Sequence, residues 1–240
     1  MLGIHAQDTK HHIGAFRTSK RFSVIGCAGF EAHRRKGMTP SHELHPVLRW
    51  GVLLWLLVWA PVYVKAWGWQ NMVHLCDVGA IIACIGIWMQ IPLLFSSQAV
   101  GFLLVGVLWG LDVGWRLLTG HHLVGGTDYM WDTRYPLWIR LLSTFHLGLP
   151  LVLLWAMRIM GYDRRALALQ SVIAAVLLIF SRFLSPALNI NYAFQDPLFH
   201  RAWGPAPVHL AVIYSGMLAL LYWPTHVLLV RLFAVPGGAK

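Results

Sequence analysis

Charge is scarce in this chain: 12% of its 240 residues are Asp, Glu, Lys or Arg, and only nine are acidic. With 58% hydrophobic residues, that balance excludes an ordinary soluble domain and fits a bilayer-embedded chain. Cysteine is scarce too. Cys27, Cys76 and Cys84 show no framework spacing, and the last two stand about 12 Å apart along one helix, too far to bridge, so free thiols are expected. No HExxH, HxxxH or glycine-rich loop with its lysine occurs, which removes the usual zinc-hydrolase and nucleotide-loop signatures. Internal repeats and the alternation of a membrane barrel are missing as well.

What is present is a set of long apolar windows near 47–66, 72–95, 98–118, 137–158, 166–185 and 207–231, each long enough to cross about 30 Å of hydrocarbon. The expectation is an all-α, polytopic six-helix bundle over residues 46–233, with Pro92 and Pro150 kinking the second and fourth helices and Pro61 bending the first. Residues 1–45 are basic and lack the apolar core of a signal peptide. They read as a disordered cytoplasmic tail, or as the product of a start site placed upstream of Met38, and residues 234–240 read as a second short tail.

The net charge of +10 concerns orientation, not nucleic acid. Seven of the nineteen Lys and Arg precede residue 40, and Arg49, Arg158, the "YDRRA" stretch and Arg231 fall on the same side, opposite Lys65, Arg134 and Arg201. Both termini are then expected in the cytoplasm of a multi-pass cell-membrane protein whose two long connections face outward. Membrane lipids are the partners this implies, with no soluble protein partner.

Polar groups inside apolar helices cost a few kcal/mol each if they face lipid, so they turn inward and become candidates for function. Here they gather in one half of the bundle: His74, Cys76 and Asp77 in the second helix, Asp112 and Arg116 in the third, His146 in the fourth and His209 at the start of the sixth. On a helix His74 and Asp77 lie about 60° apart and share a face, whereas Cys76 turns about 160° from His74 and needs a partner elsewhere. His146 is the best-placed base, because a thiol becomes a nucleophile only beside a base or a positive neighbour. The bland reading, a buried Cys and a hydrogen-bonded core His, stands beside it. Asp112 and Arg116, four residues apart, suggest a helix ion pair, and Arg116 alternatively a phosphate ligand. His121, His122, Asp128 and Asp132 lack metal-site spacing, so no metal and no cofactor is expected. Asn189 and Asn191 suggest a cap for the fifth helix or the lining of a head-group pocket.

The run from "HLCDVG" through "GLDVGWRLLTG", "GGTDYMWD", "LLSTFHLGLP" and "NINYAF" to "YWPTH" resembles an uncharacterised group of bacterial multi-pass membrane-associated proteins across nearly all of residues 45–231. More distantly, "HLCD" followed by a histidine in a later helix is similar to YwaF-type integral membrane proteins. These in turn resemble eukaryotic transmembrane acyltransferases of ether-phospholipid remodelling and androgen-induced hydrolases of branched fatty-acid esters. The resemblance implies Cys76 as the nucleophile forming an acyl-thioester and His146 as its base. The related hydrolases use threonine, and Thr144, two residues before His146, is not its equivalent.

The expected function is therefore a lipid acyltransferase or ester hydrolase using Cys76 and His146, with His74, Asp77, Asp112 and Arg116 as a supporting polar cluster. Two other classes remain open. A transporter or small-molecule binder would line a cavity with the same residues, and a haem or quinone protein would use His74 with His146 or His209 as axial ligands.

Overall fold

The computed structural model describes residues 43–233, so the sequence expectations for residues 1–42 and 234–240, Cys27 among them, lie outside the described residues. Within them the chain is an all-α polytopic membrane protein of six helices: α1 Pro46–Trp67, α2 Leu75–Trp88, α3 Pro92–Thr119, α4 Leu137–Met160, α5 Ala166–Ser181 and α6 Ala206–Phe233. Four of them, α1, α3, α4 and α6, are long and apolar enough to cross a membrane, while α2 and α5, at 14 and 16 residues, are shorter.

The boundary between α2 and α3 differs from the sequence expectation. Pro92 does not kink a continuous second span; it occupies the first turn of α3, where its missing N–H is one the helix would leave unpaired in any case. A short turn at 89–91 reverses the chain, with Gln90 in the left-handed region at φ 57°. The Gln90 side-chain oxygen accepts the Leu44 amide at 2.8 Å, and Arg49 Nε donates to the Trp88 carbonyl at 3.0 Å. Those two bonds fix the start of α1 to the end of α2. At the same end of the bundle the Tyr162 hydroxyl meets His226 Nδ1 at 2.7 Å, joining α6 to the connection between α4 and α5. That connection also carries Asp163, whose carboxyl the bound Arg165 guanidinium holds below its ordinary value.

Short α2 belongs to the centre because its small residues admit close neighbours. A Cβ at Gly79 would lie 2.6 Å from the Phe102 ring, and one at Gly86 would lie 2.7 Å from Leu94 Cβ, so α3 fits against a glycine at each of two levels. α1 instead presents one aromatic stripe at four-residue spacing. Trp55, Trp59 and Tyr63 stack in sequence at 5.1 and 4.7 Å, and Phe145 of α4 packs edge-on against Trp59.

Pro150 lies inside α4, as expected, and has a specific consequence. It has no N–H, so the carbonyl of His146, four residues earlier, lacks its helical partner. That carbonyl and the Pro150 ring are the groups a Cβ at Gly106 of α3 would strike. The glycine therefore lets α3 approach the backbone carbonyl that Pro150 leaves without its helical partner.

Gly106→Val should lower the thermal transition of the detergent-purified protein by several degrees, about 1–3 kcal/mol of overpacking. Gly114→Ala, where the added carbon meets nothing within 4 Å, is the neutral control in the same thermal-unfolding assay.

Candidate functional site

A cavity of about 590 Å³ runs down the middle of the bundle and takes lining residues from all six helices. Its walls on α3 extend from Gln98 to Trp109, about 16 Å along the axis. At the end where the long connections lie it is bordered by Gly126 and Tyr129 of one connection and by Asn191, Asp196 and Phe199 of the other. Burial holds the Tyr129 phenol above its ordinary value, so the ring presents a neutral hydroxyl, which accepts the Trp109 indole N–H at 2.8 Å.

Of the six residues singled out from sequence, four line this cavity: His74, Cys76, Asp77 and His146. The helical argument for the first three needs correction. His74 precedes α2 as its N-cap, with φ −56° and ψ 139°, so it does not share a helical face with Asp77. Cys76 and Asp77 occupy the first turn, and the thiol lies 3.9 Å from Asp77 Oδ1. Asp77 is 1% exposed and its Oδ2 accepts Asn71 Nδ2 at 3.0 Å.

His146 approaches the same region from α4. Its Nδ1 stands 2.8 Å from the Ser143 carbonyl, which only accepts, so Nδ1 carries the proton and Nε2 keeps its lone pair. The ring lies flat on Trp109, with centroids 5.3 Å apart and planes 6° from parallel. Ser143 is itself held by the Tyr63 hydroxyl at 3.0 Å, so α1 helps fix the loop end of α4. Phe102 connects the two halves of the site, because it meets α2 at Gly79, three residues past Cys76, and lies 6.1 Å from the His146 ring.

Asp112 and Arg116 stand apart from the cavity and from each other. Asp112 Oδ1 accepts the amides of Leu123, Val124 and Gly125 at 2.8, 2.7 and 3.3 Å, and its Oδ2 accepts Thr127 Oγ1 and meets His122 Nδ1 at 3.1 Å. Five partners in the following connection outcompete a single guanidinium, and Arg116 lies over the Trp131 ring at 5.5 Å instead of pairing. Asp112 is thus an anchor for the connection. The other nitrogen of His122 reaches Asp128 at 2.8 Å, so its ring spans two carboxylates. His209 is likewise engaged: Nδ1 accepts the Trp203 amide at 3.2 Å and Nε2 donates to the Tyr192 carbonyl at 2.9 Å. With its lone pair occupied it is unsuited to bind a haem iron.

Sequence reasoning singles out Asn191 but not its role, which is to orient the Cys76 segment. Asn191 caps neither end of α5. Its Oδ1 accepts the Leu75 amide at 2.7 Å, and its Nδ2 donates to the Val73 carbonyl at 2.9 Å and to Ser181 Oγ at 3.0 Å. Because His74 makes no side-chain cap, this distant amide caps α2 in its place. The neighbouring Asn189 caps its own loop through the amides of Phe194 and Gln195. Gln98, Gln170 and Tyr222 escaped notice. They line the cavity, and only the rarity of glutamine in apolar helices marks the first two.

Asn191→Leu leaves three buried polar groups without partners, and should cost about 2–5 kcal/mol, read as a lowered unfolding midpoint. Maleimide labelling of Cys76 should accelerate in the same variant, because the first turn of α2 frays; unchanged labelling would mean the clamp does not hold that turn. Compared with known protein families, with curated proteins and with solved structures, the chain matches none.

Proposed function

We propose that this chain is a membrane enzyme that transfers or hydrolyses lipid acyl esters through a thioester on Cys76, with His146 as its base. The observation that carries the reading is that Cys76 and His146 line one cavity while His146 Nε2 keeps a free lone pair. In this reading the arginine-rich end of the bundle faces the cytoplasm of the cell membrane, and the substrate arrives from the outer leaflet.

The steps follow from the groups at hand. His146 Nε2 takes the thiol proton as the sulfur attacks the ester carbonyl, the C–S bond forms, and the ester C–O bond breaks. The leaving alcohol takes the proton from His146. Water or a second alcohol then attacks the thioester, its proton passing to His146 and on to the departing sulfur. No Lys or Arg among the described lining residues stands ready to hold a thiolate, so proton removal accompanies attack. The positive end of the dipole of α2, in whose first turn Cys76 lies, favours the negative charge developing on sulfur. Arg116, outside the cavity wall, has no part in these steps, whereas His74 lines the same cavity as Cys76.

A second reading draws support from the burial of Asp77 within the same cavity: a proton-coupled carrier would use such a carboxylate. The two separate cleanly by substitution. For the enzyme, Cys76→Ala in reconstituted vesicles abolishes acyl turnover and His146→Ala lowers it about 10²–10⁴-fold. Unchanged turnover in Cys76→Ala ends the enzyme reading, and solute uptake that survives Cys76→Ser but is lost in Asp77→Asn establishes the carrier.

A further inference from the structure

The cavity has a second polar tier that the acyl chemistry does not use. Gln98 of α3, Gln170 of α5 and Tyr222 of α6 line it, about one helical turn deeper than Cys76, since a Cβ at Gly79 would lie 2.8 Å from Gln98 Oε1. A π-helical segment, Met217–Tyr222, carries Tyr222 to this position. Gln170 is 2% exposed; its amide nitrogen stands 3.4 Å from the Tyr222 hydroxyl, and its oxygen has no partner. Exchanging the two amide atoms leaves the nitrogen unpartnered instead, so one hydrogen-bonding position stays open under either assignment. Opposite it, Gly101 has no side chain, and a Cβ there would lie 2.6 Å from that nitrogen. The indole N–H of Trp67, another lining residue, is also buried without a partner.

Charge gives the complementary constraint. Among the described residues that line the cavity there is no Lys or Arg, and the acids Asp77 and Asp196 are both present. The arginines near the loop end are engaged elsewhere. Arg182 lies over Phe194 at 4.1 Å, Arg134 pairs with Asp132 at 2.6 Å, and Arg201 lies over Trp203 at the rim. A phosphate in the cavity would meet no cation among its described lining residues, whereas a hydrocarbon tail at this tier would leave Gln170 unpaired. Asp77 is satisfied by Asn71, and Asp196 by the amides of Leu198, Phe199 and Arg201, so neither calls for a cationic ligand.

We infer that the cavity takes an uncharged, hydroxyl-bearing amphiphile of the acylglycerol kind, its hydroxyl head at the Gln170 tier, and that phosphate-bearing lipids are excluded. Hydroxyl groups both donate and accept, which answers the open Gln170 position whichever way its amide is assigned. The apolar α6 wall formed by Val212, Ile213, Met217 and Leu221 takes the chain. Only the position of the ester, level with Cys76, rests on the acyl-transfer reading.

The test is a tryptophan-fluorescence titration of full-length Cys76→Ala protein in nanodiscs with monooleoylglycerol and with oleoyl lysophosphatidic acid, which differ by the phosphate alone. Monooleoylglycerol should bind at least about tenfold more tightly, and Gln170→Leu should weaken it about tenfold, the worth of one buried hydrogen bond. Equal or tighter binding of the phosphate-bearing lipid overturns the inference. Should Gln170→Leu fail to fold, the comparison of the two lipids on the Cys76→Ala protein decides alone. Because the cysteine is absent from the titrated protein, lack of acyl turnover in the unsubstituted chain would sink the enzyme reading and leave this preference standing.

Discussion

The side-chain amide of Asn191 is the interaction on which the site depends. It comes from the connection between α5 and α6, more than a hundred residues from the segment it binds, and it satisfies the Val73 carbonyl, the Leu75 amide and Ser181 at once. An unsatisfied backbone group inside an apolar bundle costs a few kcal/mol, so these bonds determine where α2 begins. Because α2 begins at Leu75, Cys76 and Asp77 fall in its first turn and border the central cavity. The left-handed backbone at Asn191, φ 54°, is one that asparagine tolerates better than most residues.

The same accounting separates scaffold from site. Asp112, His122 and His209 look like candidates for chemistry until their partners are identified, and each is held by loop backbone or a neighbouring side chain. His146 differs, because only one of its nitrogens is engaged and the other belongs to a ring on the cavity wall. Its position depends on backbone chemistry as well. Pro150 removes the partner of the His146 carbonyl, Gly106 admits α3 against it, and Trp109, one turn further along α3, lies flat on the ring.

Much of the fold was legible in the sequence because apolar length and six hydrophobic windows are governed by the bilayer alone. The errors arose where a local rule met a longer-range one. Pro92 was read as a kink within a long window, although proline in the first turn of a helix is equally consistent with that sequence and here ends α2 at Trp88. His74 and Asp77 were given a common helical face, yet the helix starts only after His74. Asp112 and Arg116 have ideal spacing for an ion pair, but spacing does not disclose that five donors from the next connection already reach the carboxylate. Cys76 and His146 stand out in the sequence because both types are conspicuous in apolar helices, and both line the cavity. Asn191 reads from sequence as a cap for the fifth helix or a pocket-lining residue; it lines the cavity, but its clamp on α2 is invisible because its partners are distant in sequence.

The most direct test of the account is peptide mass spectrometry of the reconstituted protein after incubation with an acyl-ester lipid. The account predicts an acyl adduct on Cys76 that hydroxylamine removes and that fails to form when His146 is replaced by alanine. An unmodified Cys76 under conditions of active turnover, or an adduct found on Cys84 instead, would contradict it.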